Sequence, residues 1–177
     1  MTDYGLLAKQ IVSLAEIDAH WLPVLSNAAA LLWDALDDIN WVGFYLVDPV
    51  TVSGAEPSTE PSATPSAHEP CTPELRLGPF QGKVACVRIP FGRGVCGTAA
   101  ETKISQLVED VHQFPGHIAC DSASNSEVVI PIFKDDQVVG VLDIDSPSVA
   151  RFTKEDLAGL EQVVKALESC TNFSAFC

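Results

Sequence analysis

The chain has 177 residues, 47% of them hydrophobic, with 10 Lys+Arg against 24 Asp+Glu and a net charge of -14. That length supports one sizeable core. So strong a negative balance repels phosphate backbones and anionic lipid, so nucleic acid and membrane surfaces are poor partners and a small cationic or zwitterionic ligand is favoured. The start, MTDYGLLAKQ, is acidic where a secretory signal would be basic, and the runs Val128 to Phe133 and Val138 to Leu142 are too short to span a bilayer. A cytoplasmic protein is expected, in a compartment where structural disulfides are rare.

Apolar residues at Leu7, Ile11 and Leu14, then at Leu22, Leu25, Ala29, Leu32 and Leu36, recur at three- and four-residue steps and predict two amphipathic helices against one face of a sheet. Trp41 to Val47 is aromatic and branched, which predicts a strand. Prolines then recur at Pro49, Pro57, Pro61, Pro65, Pro70 and Pro73 among Ser, Thr, Ala and Glu, and this stretch of about 49–73 is expected to be a mobile insertion between strands. Short strands are predicted at Glu74 to Leu77 and Lys83 to Ile89, a Gly-rich turn and brief helix at Gly94 to Thr102, and a strand at Ser105 to Val108. A long loop, Glu109 to Ser126, follows. Val128 to Phe133 and Val138 to Ser146 read as an antiparallel hairpin turning at Lys134-Asp135-Asp136. Thr153 opens the last helix, with Asp156 as its capping-box acid, Phe152 stapled onto Leu157, and Leu157, Leu160, Val164 and Leu167 as the buried stripe. The whole predicts a single α+β domain over 1–177, a sandwich with a central, mostly antiparallel sheet and helices packed on it.

Gly92-Arg93-Gly94-Val95-Cys96-Gly97 matches G-x-G-x-x-G, but the helix after it is too short for a dinucleotide crossover, so no nicotinamide or flavin cofactor is expected. Its amides, at a helix N-terminus, suit a carboxylate. Asp143 and Asp145 lie two apart on one strand and share a face opposite Leu142 and Ile144, and Glu127 begins the partner strand. Three crowded carboxyls raise one another's pKa and invite an ammonium group. Trp41 and Tyr45, four apart on one strand, also share a face and would wall such a pocket. Cys86, Cys96 and Cys120 sit among glycines or small residues and are expected to be accessible and reactive, whereas Cys71, in the insertion, is expected to be a bystander. His117 and Cys120, spaced H-x-x-C, lack a second pair, so no metal site is expected.

Asn40-Trp41-Val42-Gly43-Phe44-Tyr45, Leu77-Gly78-Pro79-Phe80-Gln81-Gly82-Lys83, Gly92 to Thr98, Gly116-His117-Ile118-Ala119-Cys120-Asp121, Ser124-Asn125-Ser126-Glu127 and Gly140 to Ser146 closely resemble the GAF-fold free methionine-(R)-sulfoxide reductases. The resemblance implies that Cys120 attacks the sulfoxide, that Cys86 resolves the product, and that Cys96 is a third cysteine of less settled role. It also implies that Glu127, Asp143 and Asp145 bind and polarise free methionine sulfoxide, that Trp41 and Tyr45 enclose its methyl end, and that the enzyme is a homodimer recycled by a thioredoxin-like reductant. Cys71, Cys170 and Cys177 match no motif of that family, although Cys170 and Cys177, near a mobile end, are placed to exchange with the reactive thiols. The alternatives are a GAF small-molecule sensor and a thiol redox switch without turnover.

Overall fold

A computed structural model describes residues 2–48, 73–116 and 122–176. Helices α1 (Tyr4–Ala15), α2 (Trp21–Ala35) and α4 (Lys154–Cys170) carry their apolar residues at helical spacing, burying Leu7, Ile11 and Ala15 on the first and Leu160, Val163, Val164 and Leu167 on the last. Asp3 caps α1 by accepting from the Leu6 amide at 2.9 Å. Thr153 and Asp156 close a reciprocal capping box on α4, the Asp156 amide donating to Thr153 Oγ1 at 3.1 Å and the Thr153 amide to Asp156 Oδ2 at 2.9 Å. Tyr4 ties the two helices together by donating its hydroxyl to Asp156 Oδ1 at 2.5 Å. The close approach needs Gly159, where a Cβ would lie 2.1 Å from the Tyr4 ring.

Among the described residues, six antiparallel strands form one sheet in the order β3-β2-β1-β6-β5-β4: β1 (Trp41–Val47), β2 (Glu74–Gly82), β3 (Arg88–Pro90), β4 (Gln106–Val108), β5 (Ser126–Lys134) and β6 (Gln137–Ser146). Val42, Phe44 and Leu46 of β1, with Leu142 and Ile144 of β6, face α1, α2 and α4 in the larger apolar core. Trp41, Tyr45, Val129 and Val141 face the other way, into a smaller core completed by Val95, Cys96, Ala99 and Ala100 of α3 (Gly94–Thr102). The β5–β6 hairpin closes through Asp135 and Asp136 alone, both at positive φ (49° and 62°). Such mirror-image turns favour short polar residues that tolerate the left-handed region.

The Gly-rich segment is consumed by backbone geometry. Gly92 and Gly94 sit at φ +76° and +62°, and a Cβ on Gly97 would lie 2.3 Å from the Pro90 carbonyl oxygen, so α3 packs directly on its own entry turn. That helix is nine residues long and leads to an antiparallel edge strand, whereas a dinucleotide crossover joins parallel strands.

The expected strand over Lys83 to Ile89 is corrected. β2 runs on to Gly82, past Gly78 and Pro79, and only Arg88–Pro90 pairs beyond it. The reason is a bulge: Gly43 opposes Phe80 while Tyr45 opposes Leu77, so β2 carries an extra residue just where glycine and proline break the regular pattern. The long loop before β5 also holds a short 3-10 turn, Val111–Gln113, capped by Asp110. The expected mobile insertion and its Cys71 lie outside the described residues.

Two substitutions test this packing by denaturation. Leu160→Ala, at a fully buried position, should lower unfolding stability by about 2–5 kcal/mol. Thr153→Ala, which removes the cap, should cost about 1 kcal/mol.

Candidate active site

Strand period decides which side chains share a face, and register decides which of them meet. Trp41 pairs with Asp145, and Asp145 with Glu127, so one row crosses β1, β6 and β5. The next row on the same face runs from Gly43 to Asp143 to Val129, and the row after it from Tyr45 to Val141. Two aromatic rings and three carboxyls therefore gather on the face that α3 covers. Trp41 stacks on Tyr45 with ring centroids 5.8 Å apart, and on Phe80 at 5.4 Å. Gly43 makes room for this stack, because a Cβ there would lie 2.6 Å from the Trp41 ring and 2.4 Å from Phe80 Cβ.

Glu127 and Asp143 are buried, at 5% and 6% exposure. Cys96, near the start of α3, is buried beside them with its Sγ 4.0 Å from Glu127 Oε1. The ligand atoms of Cys96, Glu127 and Asp143 all fall within 4.8 Å of one another. Asp143 Oδ1 is buried without a hydrogen-bond partner among the described residues. At the rim of this cluster Asn40 Nδ2 donates to the buried Ser124 hydroxyl at 3.0 Å. Trp41 Nε1 donates to the Lys83 carbonyl at 3.1 Å and so anchors the segment that leads to Cys86. Cys86 is half-buried against the smaller core and disulfide-bonded, whereas Cys96 and Cys170 carry free thiols.

A family described as "GAF domain" matches residues 19–170. The Escherichia coli protein named free methionine-R-sulfoxide reductase is 48% identical over 165 residues, covering 93% of this chain and 86% of that one. The chain belongs to the GAF-domain family of free methionine-R-sulfoxide reductases. The structure of the Staphylococcus aureus fRMsr in its reduced form superposes with a TM-score of 0.80 at 49% identity, over 97% of both chains. That of the Neisseria meningitidis free methionine-R-sulfoxide reductase, in complex with its substrate, does so at 0.78 and 41% identity, over 94% of this chain and 86% of that one.

Burial and mutual repulsion control protonation in this cluster. Burial, then the negative charges of Asp143 and Asp145, push the Glu127 carboxyl well above the usual range. Asp143 is raised by burial to about 6, an increase moderated by hydrogen bonds from Cys96 and Glu127. Within the pair the shared proton therefore rests on Glu127, and Asp143 accepts its hydrogen bond. Burial, followed by Asp143 and Glu127, also pushes the Cys96 thiol well up, and burial does the same to the Tyr45 hydroxyl.

The structure thus brings together Trp41, Tyr45, Cys96, Glu127, Asp143 and Asp145 from four separate elements, β1, α3, β5 and β6. It corrects the expectation that Cys96 is accessible: its exposure is 4%, because the glycines around it let α3 press onto the sheet. It also corrects the expectation for Cys170, which packs on the larger core, across the sheet from Cys86 and Cys96, and so cannot exchange with them in this arrangement. Cys120 and Cys177 lie outside the described residues. Phe80 was not singled out as a wall of the aromatic stack, and nothing short of the bulged β1–β2 register would have revealed it.

Because Glu127 and Asp143 keep their protons to higher pH when folded than when unfolded, their contribution to stability is complete below the ordinary carboxylate range and is lost as pH rises through the folded pKa. Asp143→Asn should therefore lose less stability than the wild type as pH rises from about 4 to about 6, a difference read by urea denaturation at the two pH values.

Proposed function

We propose that this chain reduces free L-methionine-(R)-sulfoxide to L-methionine by thiol chemistry. The observation that carries the reading is the cluster of buried Glu127 and Asp143 with half-buried Asp145, on two adjacent rows of one sheet face beside the Trp41–Tyr45 stack. It stands in a chain 48% identical to a protein named as that reductase. A sulfoxide sulfur resists attack until its oxygen is protonated or strongly hydrogen-bonded, and Glu127, held neutral, is the group that supplies the proton. Asp143 and Asp145 hold the substrate's ammonium, and the aromatic rings enclose its methyl end.

In this mechanism the Cys120 thiolate attacks the sulfur and Glu127 protonates the oxygen. Methionine departs with its sulfur reduced, and the oxygen remains on Cys120 as a sulfenic acid. Cys86 then condenses with the sulfenic acid, forming a disulfide and releasing water. The disulfide recorded at Cys86 suits this resolving role. The elevated Cys96 thiol argues against Cys96 as the attacking group, because only the thiolate is nucleophilic. A thioredoxin-like dithiol restores both thiols, and the exposed Val84 and Val87 on either side of Cys86 offer such a partner an apolar landing. We also propose one GAF-like domain over 1–177 that acts as a cytoplasmic homodimer. No helix among the described residues is long and apolar enough to cross a membrane.

Incubation with dithiothreitol and racemic methionine sulfoxide should yield methionine until half of the sulfoxide is consumed. N-acetylation of the substrate should abolish turnover, since it removes the ammonium, and equal rates with both substrates would overturn the reading. Cys120→Ser should be inactive. Cys86→Ser should form one methionine per enzyme when thioredoxin is the reductant. Glu127→Gln should lower kcat by about 100-fold or more, with a smaller change in KM.

A further inference from the structure

We propose that Cys96, Glu127 and Asp143 form a binding site for a thiophilic divalent cation of the zinc class. The three side chains come from α3 and from the two strands of the β5–β6 hairpin, their ligand atoms converge within 4.8 Å, and all three residues are buried. Around a tetrahedral zinc, sulfur at about 2.3 Å and oxygen at about 2.0 Å stand roughly 3.5 Å from each other. The observed Sγ to Oε1 distance is 4.0 Å, so small side-chain rotations bring the ligands to bonding distance without moving the backbone. A thiol with two carboxylates selects a borderline-soft ion over magnesium or calcium, which prefer oxygen alone.

A second observation points to the same place. Asp143 Oδ1 is an acceptor without a partner among the described residues, in a side chain that is 6% exposed. A buried acceptor left that way costs stability unless a donor or a cation meets it. A divalent ion would meet it and would also offset the repulsion among Glu127, Asp143 and Asp145. Three protein ligands leave a fourth position open, the arrangement of an exchangeable rather than a structural site. Cys96 keeps its thiol free while Cys86 is in a disulfide, so the site persists in that oxidised form.

Asp143 and Glu127 are also the side chains assigned above to the substrate. Cation and amino acid therefore exclude each other, and the ion acts as a reversible competitive inhibitor. That exclusion rests on the reductase reading; cation binding does not.

The test uses the whole chain with Cys86 in its disulfide, titrated with cadmium chloride. Binding is followed by thiolate-to-cadmium absorption and by calorimetry, neither of which requires turnover. The expected result is one tight equivalent with thiolate absorption, retained in Cys170→Ser, absent in Cys96→Ser and weakened at least about tenfold in Asp143→Asn. A tight equivalent that survives in Cys96→Ser, or wild-type protein without thiolate absorption, overturns the proposal. If Cys96→Ser fails to fold by circular dichroism, Asp143→Asn and Glu127→Gln decide, and unchanged affinity in both overturns it. Free methionine sulfoxide should raise the apparent Kd for cadmium. Binding that is tight but indifferent to sulfoxide overturns the shared position alone and leaves the cation site standing.

Discussion

The pairing of Trp41 with Asp145, and of Asp145 with Glu127, is the constraint from which the rest of the site follows. Side chains alternate along a strand, so a slip of one residue between β1 and β6, or between β6 and β5, would carry a member of this row to the opposite face. The larger core enforces the register. Val42, Phe44, Leu142, Ile144 and Val128 must all stay beneath α1, α2 and α4, and burying them holds Trp41, Asp143, Asp145 and Glu127 on the other side. The apolar half of each strand thereby positions the polar half.

Crowding carboxyls under a helix is costly, and the protein meets that cost by keeping protons. Glu127 and Asp143 are closed in by α3, whose approach depends on Gly97 fitting against the Pro90 carbonyl. With water largely excluded, burial becomes the leading cause of every raised pKa in the cluster. The Gly-rich segment thus acts on the chemistry indirectly. It sets how dry the acids are, and with that which of them keeps its proton longest.

Much of the architecture was legible in the sequence. The helical spacing in α1, α2 and α4, the capping box at Thr153 and the β5–β6 hairpin all rest on local rules and appear near where those rules put them, although Leu22, on the expected apolar stripe of α2, is 47% exposed and Lys134, expected in the turn, ends β5. Asp143 and Asp145 were readable as a same-face pair because period two is intrinsic to a strand. The exposure of Cys96 was misread, since small neighbours signal an open loop in sequence but permit close packing in three dimensions. The continuation of β2 past Gly78-Pro79 was misread for a related reason: the bulge that absorbs those residues is a property of two strands together.

The sequence alone determined the element types, the family resemblance and the list of residues able to do thiol and acid chemistry, because each depends on near neighbours in the chain. Tertiary structure alone decided that Cys96 of α3 joins Glu127 and Asp143, that Phe80 closes the aromatic stack, and that Cys170 is separated from Cys86 and Cys96 by the sheet. Those outcomes depend on register and on the seating of α3, which arise only when segments far apart in the chain compete for the two faces of a single sheet.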